Sequence, residues 1–131
     1  MVGYVVYGRG SFNQLDEILA PQRKGEAPMV FLVDHFFTNH ALLQRIPLHK
    51  NDKLILVDVT YEPKTTYVDE LANQLKASFG KVSGIIGIGG GSTLDLAKAV
   101  SLMMNNPGSS ADYQGWDLVK QPGVYKVGIP T

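Results

Sequence analysis

The residues with the clearest chemistry are Gly89, Gly90, Gly91 and Ser92, which follow the apolar run Ile85-Ile86-Gly87-Ile88 and precede Thr93-Leu94-Asp95-Leu96-Ala97-Lys98. A strand that runs into consecutive glycines and then a helix lets peptide N–H groups approach a phosphate where any Cβ would obstruct it. The helix beginning there adds unpaired donors and a partial positive charge. Type and order together make an anion cradle. The plainer alternative is a tight strand-to-helix turn that holds nothing, but adjacent glycines carry a folding-entropy cost that an ordinary turn does not require.

The cradle is neither of two familiar phosphate loops. A Walker A motif would need Gly-Lys-Ser or Gly-Lys-Thr, and the Rossmann fingerprint needs a glycine where Ser92 stands. Ser92 and Asp95 have the spacing of a capping box, with Asp for the usual Glu or Gln. Asp95 and Lys98 also have the spacing of a helix-surface pair, worth ~0.2–0.5 kcal/mol. A carboxylate beside a pyrophosphate would repel it, so Asp95 is expected to face neutral hydroxyl or amide groups farther along a bound dinucleotide.

Other chemistries are excluded or weakened. There is no cysteine, which removes disulfides, zinc-thiolate sites and thiol nucleophiles. His35, His40 and His49 do not fall at the i, i+4 spacing of a helical metal pair and read as loop or surface residues. No serine sits at a Gly-x-Ser-x-Gly elbow. Basic residues are scattered and the formal net charge is zero, which disfavours a nucleic-acid surface. Tyr113 and Trp116 could stack on an adenine, but packing of their own loop is the simpler role.

Positioning such a cradle requires a sheet with its strands aligned. With 44% hydrophobic and 18% charged residues, the 131-residue chain suits one domain with a real core. Apolar runs of strand length alternate with segments of helical period: strands at Val2–Tyr7, Met29–Val33, Leu54–Val59, Ile85–Ile88 and Tyr125–Ile129, the third expected to be buried on both faces. Helices are expected after Ser11, burying Phe12, Leu15, Ile18 and Leu19, then around Ala41–Leu43. Two longer ones follow, Thr65–Phe79, burying Val68, Leu71, Ala72, Leu75 and Phe79 before Gly80, and Ser92–Met104. The expected fold class is α/β, a doubly wound, mainly parallel, Rossmann-like sheet. No apolar run approaches the ~20 residues of a membrane span and no signal pattern opens the chain, so a cytoplasmic location is expected. Gly128-Ile129-Pro130-Thr131 closes at the carboxyl end of an apolar strand, where ligand loops belong in such sheets, so residues 1–131 read as one truncated NAD(P)-binding domain.

The run Gly89-Gly90-Gly91-Ser92-Thr93-Leu94-Asp95-Leu96-Ala97-Lys98 resembles the Gly-Gly-Gly-Ser-x-x-Asp-x-x-Lys signature of the iron-containing alcohol dehydrogenase family, whose fold is shared with dehydroquinate synthase. Gly8-Arg9-Gly10-Ser11, Val33-Asp34, Glu62-Pro63, Asp112-Tyr113, Gly115 and Ile129-Pro130-Thr131 fit the same family in order. Within it, Asn106-Pro107-Gly108 and Tyr113-Gln114-Gly115-Trp116-Asp117-Leu118 are similar to 3-deoxy-D-manno-octulosonate 8-oxidases, which oxidise the terminal hydroxymethyl of the sugar Kdo. A departure is Lys64-Thr65, where the family often has Asn-Pro after its proline, so no contact is carried over there.

The resemblance implies that Gly89, Gly90, Gly91 and Ser92 hold the pyrophosphate of NAD, with Asp95 toward the nicotinamide and Thr131 beside the cofactor. Asp34 would accept the adenosine 2′-hydroxyl and repel a 2′-phosphate, making NADP the lesser cofactor. The family's metal, Fe²⁺ or Zn²⁺, is bound by an aspartate and three histidines of a following helical domain, so no metal ligand and no catalytic residue is assigned to this chain. By itself the chain is expected to be inactive. The whole enzyme would act on a small-molecule alcohol or sugar, as a homodimer. A dehydroquinate synthase-type lyase that uses NAD transiently, and a stand-alone nucleotide-binding module, remain the competing readings.

Overall fold

The structure, a computed structural model, describes residues 11–59, 65–106 and 123–131. The expected first strand at Val2–Tyr7, Gly8-Arg9-Gly10, Glu62-Pro63 and the loop carrying Tyr113 and Trp116 lie outside them. Four strands form a wholly parallel sheet: β1 (Met29–Asp34), β2 (Lys53–Val57), β3 (Gly84–Gly89) and β4 (Lys126–Pro130). The helices are α1 (Leu15–Leu19), α2 (Leu42–Arg45), α3 (Thr65–Phe79) and α4 (Gly91–Met103).

Strand order is β2-β1-β3-β4. From β1 the chain moves outward to β2, then crosses back over β1 to β3 and continues to β4. The direction of winding therefore reverses between β1 and β3, which makes the carboxyl end of that pair the switch point where doubly wound sheets open a crevice.

Two cores follow from this winding. Val30, Leu32 and Ile85 meet Val68, Leu71, Ala72 and Leu75 of α3 and Leu96, Ala97, Val100 and Met103 of α4 on one face. Met29, Phe31, Val33, Ile86 and Ile88 meet Leu15, Leu19, Phe37 and Ile46 on the other. Alternate residues of β1 and β3 thus feed opposite faces, so these central strands read as unbroken apolar runs.

α3 spans the expected residues and ends as Gly80 adopts φ +71°, the left-handed stop that lets its amide donate to Lys76 O at 2.8 Å. Phe79, expected on the buried face, is instead 37% exposed at that last turn. α4 lies close on β3, since a Cβ at Gly87 would come within 2.7 Å of Ala97 Cβ.

Two further expectations are corrected. β2 stops at Val57 and is partly exposed, with Leu56 at 38%, because it is the outer strand of the described sheet and has a neighbour on one side only. The segment after Ser11 is not one amphipathic helix: a 3-10 turn at Ser11–Gln14 leads into the short α1 and a second 3-10 turn at Ala20–Gln22, where Pro21 sets the backbone. Leu15 and Leu19 are buried as expected, but the N-cap of α1 is Gln14 and makes no side-chain cap.

Candidate functional site

β1, β3 and β4 end side by side at Asp34, Gly89 and Pro130. Gly89 has φ +155°, and a Cβ there would lie 2.8 Å from Thr93 Oγ1 and 3.0 Å from Asp34 Cβ. The chain's own packing requires this glycine. Gly90 is different: its backbone is ordinary extended, φ −80° and ψ −173°, and a Cβ at Gly90 or Gly91 would meet nothing within 4 Å. Neither strain nor an internal neighbour accounts for glycine at these two positions. They leave open space at the N-terminus of a 13-residue helix.

That helix end has donors to offer. The first helical bond runs from Leu94 N to Gly90 O at 3.1 Å, so the amides just before it lack an intrahelical acceptor. Gly90 is the N-cap and supplies no side chain to cover them. The capping box expected of Ser92 and Asp95 is therefore not how this helix begins. Helical geometry starts at Gly91, and Ser92 stands in its first turn rather than at its cap.

Thr93 is the residue that sequence reasoning passed over. It is fully buried, and its Oγ1 has no hydrogen-bond partner. A polar atom left so beneath a glycine loop is unusual, since buried hydroxyls are nearly always satisfied. The available signal was its place as the polar residue on the inward face of the first turn of α4.

Asp34 is half-buried at the last residue of β1, and its Oδ1 accepts from Phe36 N at 3.0 Å, capping the 3-10 turn His35–Phe37. Thr131 is exposed, and its amide donates to Gly89 O at 3.2 Å. The structure thus gathers Asp34, Gly89, Gly90, Gly91, Ser92 and Thr131 at one edge. Asp95 is placed apart from them, exposed a turn into α4, where it lines a shallow groove with Lys98, Ser101, Leu102 and Lys126.

The histidines lie at the surface. His35 Nε2 is 3.3 Å from Asp58, His49 Nε2 is 2.7 Å from Asp16, and His40 Nδ1 accepts from Leu42 N at 3.0 Å. Among the described residues no group of three or more histidines and carboxylates could hold a metal ion. No helix among them is long and apolar enough to cross a membrane.

The open space at Gly90 and Gly91, the uncovered first-turn amides and a carboxylate at the neighbouring strand end fit a pyrophosphate joined to a ribose. The sequence matches a family model described as iron-containing alcohol dehydrogenase over residues 3–131. An NAD-dependent methanol dehydrogenase of Bacillus methanolicus is 31% identical, over 96% of this chain and 33% of its own length. Long-chain-alcohol dehydrogenase 1 of Geobacillus thermodenitrificans is 30% identical, over 95% of this chain and 32% of its own. The solved sulfoacetaldehyde reductase of Bifidobacterium kashiwanohense in complex with NAD+ shares the fold, with a TM-score of 0.76 at 22% identity, over 94% of this chain and 32% of that one. The chain spans about a third of the length of the curated relatives it matches.

Proposed function

The chain belongs to the iron-containing alcohol dehydrogenase family, and from that premise we propose that residues 1–131 are the NAD-binding part of a metal-dependent oxidoreductase acting on CH–OH groups. The observation that carries this reading is the clearance at Gly90 and Gly91, which nothing among the described residues explains and a phosphate would fill.

In this reading the amides at the start of α4 and the Ser92 hydroxyl bind the pyrophosphate, Asp34 accepts the adenosine ribose hydroxyls, and Thr131 borders the cofactor beyond Gly89. Asp95, on the flank of α4 toward β4, stands toward the nicotinamide half. NADP is disfavoured because its 2′-phosphate would meet the Asp34 carboxylate. The bound groups supply hydride exchange at the nicotinamide and polarisation of the alcohol oxygen by Fe²⁺ or Zn²⁺ held outside these residues. This chain's part is to bind and orient the dinucleotide, and the chain by itself does not turn over alcohol.

The substrate is narrowed to a sugar of the Kdo type by Asn106-Pro107-Gly108 and Tyr113–Leu118. Of these, Asn106 is described: it is buried, and its Nδ2 donates to Leu102 O at 2.9 Å beyond the end of α4. The reading places the whole enzyme in the cytoplasm, as a homodimer.

Calorimetric titration of NADH and NADPH tests the cofactor reading. Saturable NADH binding is expected, abolished in Gly90→Asp, while Asp34→Ala improves NADPH relative to NADH by about tenfold, the order of one charge-assisted contact. A folded chain that binds neither nucleotide would sink the reading.

A further inference from the structure

Phe36 is 76% exposed, the most exposed large hydrophobic residue among those described, although it sits between the buried Val33 and Phe37. A lone exposed phenylalanine would ordinarily need no explanation. This one is fixed in place beside a site residue. Its amide donates to Asp34 Oδ1 at 3.0 Å, and its ring meets that of Phe37 edge-to-face with centroids 5.2 Å apart. Phe37 is seated in the core and meets His40 in the same manner at 5.2 Å. The turn is tied to the residue following β2 as well, through His35 Nε2 and Asp58 Oδ1 at 3.3 Å.

We propose that the turn His35–Phe37 is an adenosine shelf, on which the ring of Phe36 stacks against the adenine of the dinucleotide while Asp34 holds the ribose. The inference rests on the cofactor reading above and assigns its adenine contact. A ribose whose hydroxyls meet Asp34 carries its base one glycosidic bond away, and the residue hydrogen-bonded to that same carboxylate presents an apolar π-face to solvent. Stacking removes that face from water and needs no hydrogen-bond readout of the base. The brace through Phe37 and the His35–Asp58 pair keeps the ring ordered before the ligand arrives, so little freedom remains to be lost on binding.

The test is calorimetric titration of 5′-AMP, NADH and nicotinamide mononucleotide into the unsubstituted chain and into Phe36→Ala and Phe36→Trp. Phe36→Ala is expected to weaken 5′-AMP and NADH by about tenfold and leave nicotinamide mononucleotide unchanged. Phe36→Trp is expected to keep both adenine ligands within about threefold and to show indole fluorescence quenched at saturation. Unchanged 5′-AMP and NADH affinity in Phe36→Ala would overturn the shelf and leave the cofactor reading standing. Equal weakening of all three ligands in Phe36→Ala would overturn it too, as general damage. An unsubstituted chain that binds none of them overturns both.

Discussion

At the amino edge of the sheet, Asp52 has a side chain only 1% exposed, and its oxygens are fully engaged. Arg23 approaches both of them at 2.9 Å, while the amides of Met29 and His49 donate at 3.0 and 2.9 Å. Nearby, Ser83 Oγ accepts from Lys24 N and donates to Ala27 O. The carboxyl edge offers the reverse: helix amides without a cap, clearance over Gly90 and Gly91, and the Thr93 hydroxyl with no partner. Strand ends of one sheet, a few residues apart in sequence, thus differ: on one side a buried carboxylate has both oxygens engaged, although Arg23 Nε beside it lacks a partner, and on the other the helix donors face open space. Satisfied polar groups hold a fold together, whereas groups left unsatisfied at an open edge are available to a ligand.

The sharpest way to break this contrast is Asp52→Ala. It strands Arg23, whose side chain is 17% exposed, without its counter-charge and removes the acceptor for two amides, so a loss of about 3–5 kcal/mol is expected in urea unfolding. The same residue gives the contrast a pH signature. Burial would raise the Asp52 pKa, but the hydrogen bonds from Arg23, His49 N and Met29 N outweigh it and hold the carboxyl below 3.8. A folded-state value below the unfolded one contributes stability that is present above the unfolded pKa and lost as pH falls through the folded one. The urea midpoint should therefore drop as pH goes below about 4, and that acid-sensitive part should be missing from Asp52→Ala.

A smaller effect separates two kinds of glycine on the carboxyl side. Gly87→Ala forces a Cβ to within 2.7 Å of Ala97 Cβ and should destabilise by about 1–3 kcal/mol through overpacking. Gly90→Ala meets nothing among the described residues, so its thermal midpoint should be unchanged or slightly raised while NADH affinity falls. If Gly90→Ala also lost stability, the clearance would belong to the fold and not to a ligand.

The smallest change expected is that of Thr93→Val. The substitution keeps the shape and deletes a hydroxyl that bonds nothing, so unfolding should shift by less than about 1 kcal/mol, in either direction. A loss of 2 kcal/mol or more, on the order of an unsatisfied buried group, would reveal a partner for Oγ1 and remove it from the open edge.

Much of this was legible beforehand, for local reasons. α3 could be bounded because its apolar spacing is helical and Gly80 stops it, and β1 and β3 because they are buried on both faces. The glycine loop announced itself by composition. What escaped depends on residues distant in sequence. Arg23 and Asp52 are 29 positions apart, and only the pairing of β1 with β2 brings them together. The exposure of β2 follows from its place in the strand order, which periodicity does not encode. The capping-box spacing of Ser92 and Asp95 was real, but Gly90 already serves as N-cap, so the pattern had no helix end to act on. The solitude of the Thr93 hydroxyl is a property of its neighbours rather than of its letter.

One contact bears on how the cradle is aimed. Pro130 stands opposite Gly89 in the ladder, and Gly89 O is met by the amide of the next residue, Thr131, as the slanted bonding of a parallel pair requires. In a planar trans peptide the carbonyl and the following N–H point in opposite directions. With Gly89 O drawn toward β4, the N–H of Gly90 is turned the other way, over the gap between β3 and β1 where Asp34 lies. The final amide of one strand thus acts as a compass for a donor on the far side of its neighbour.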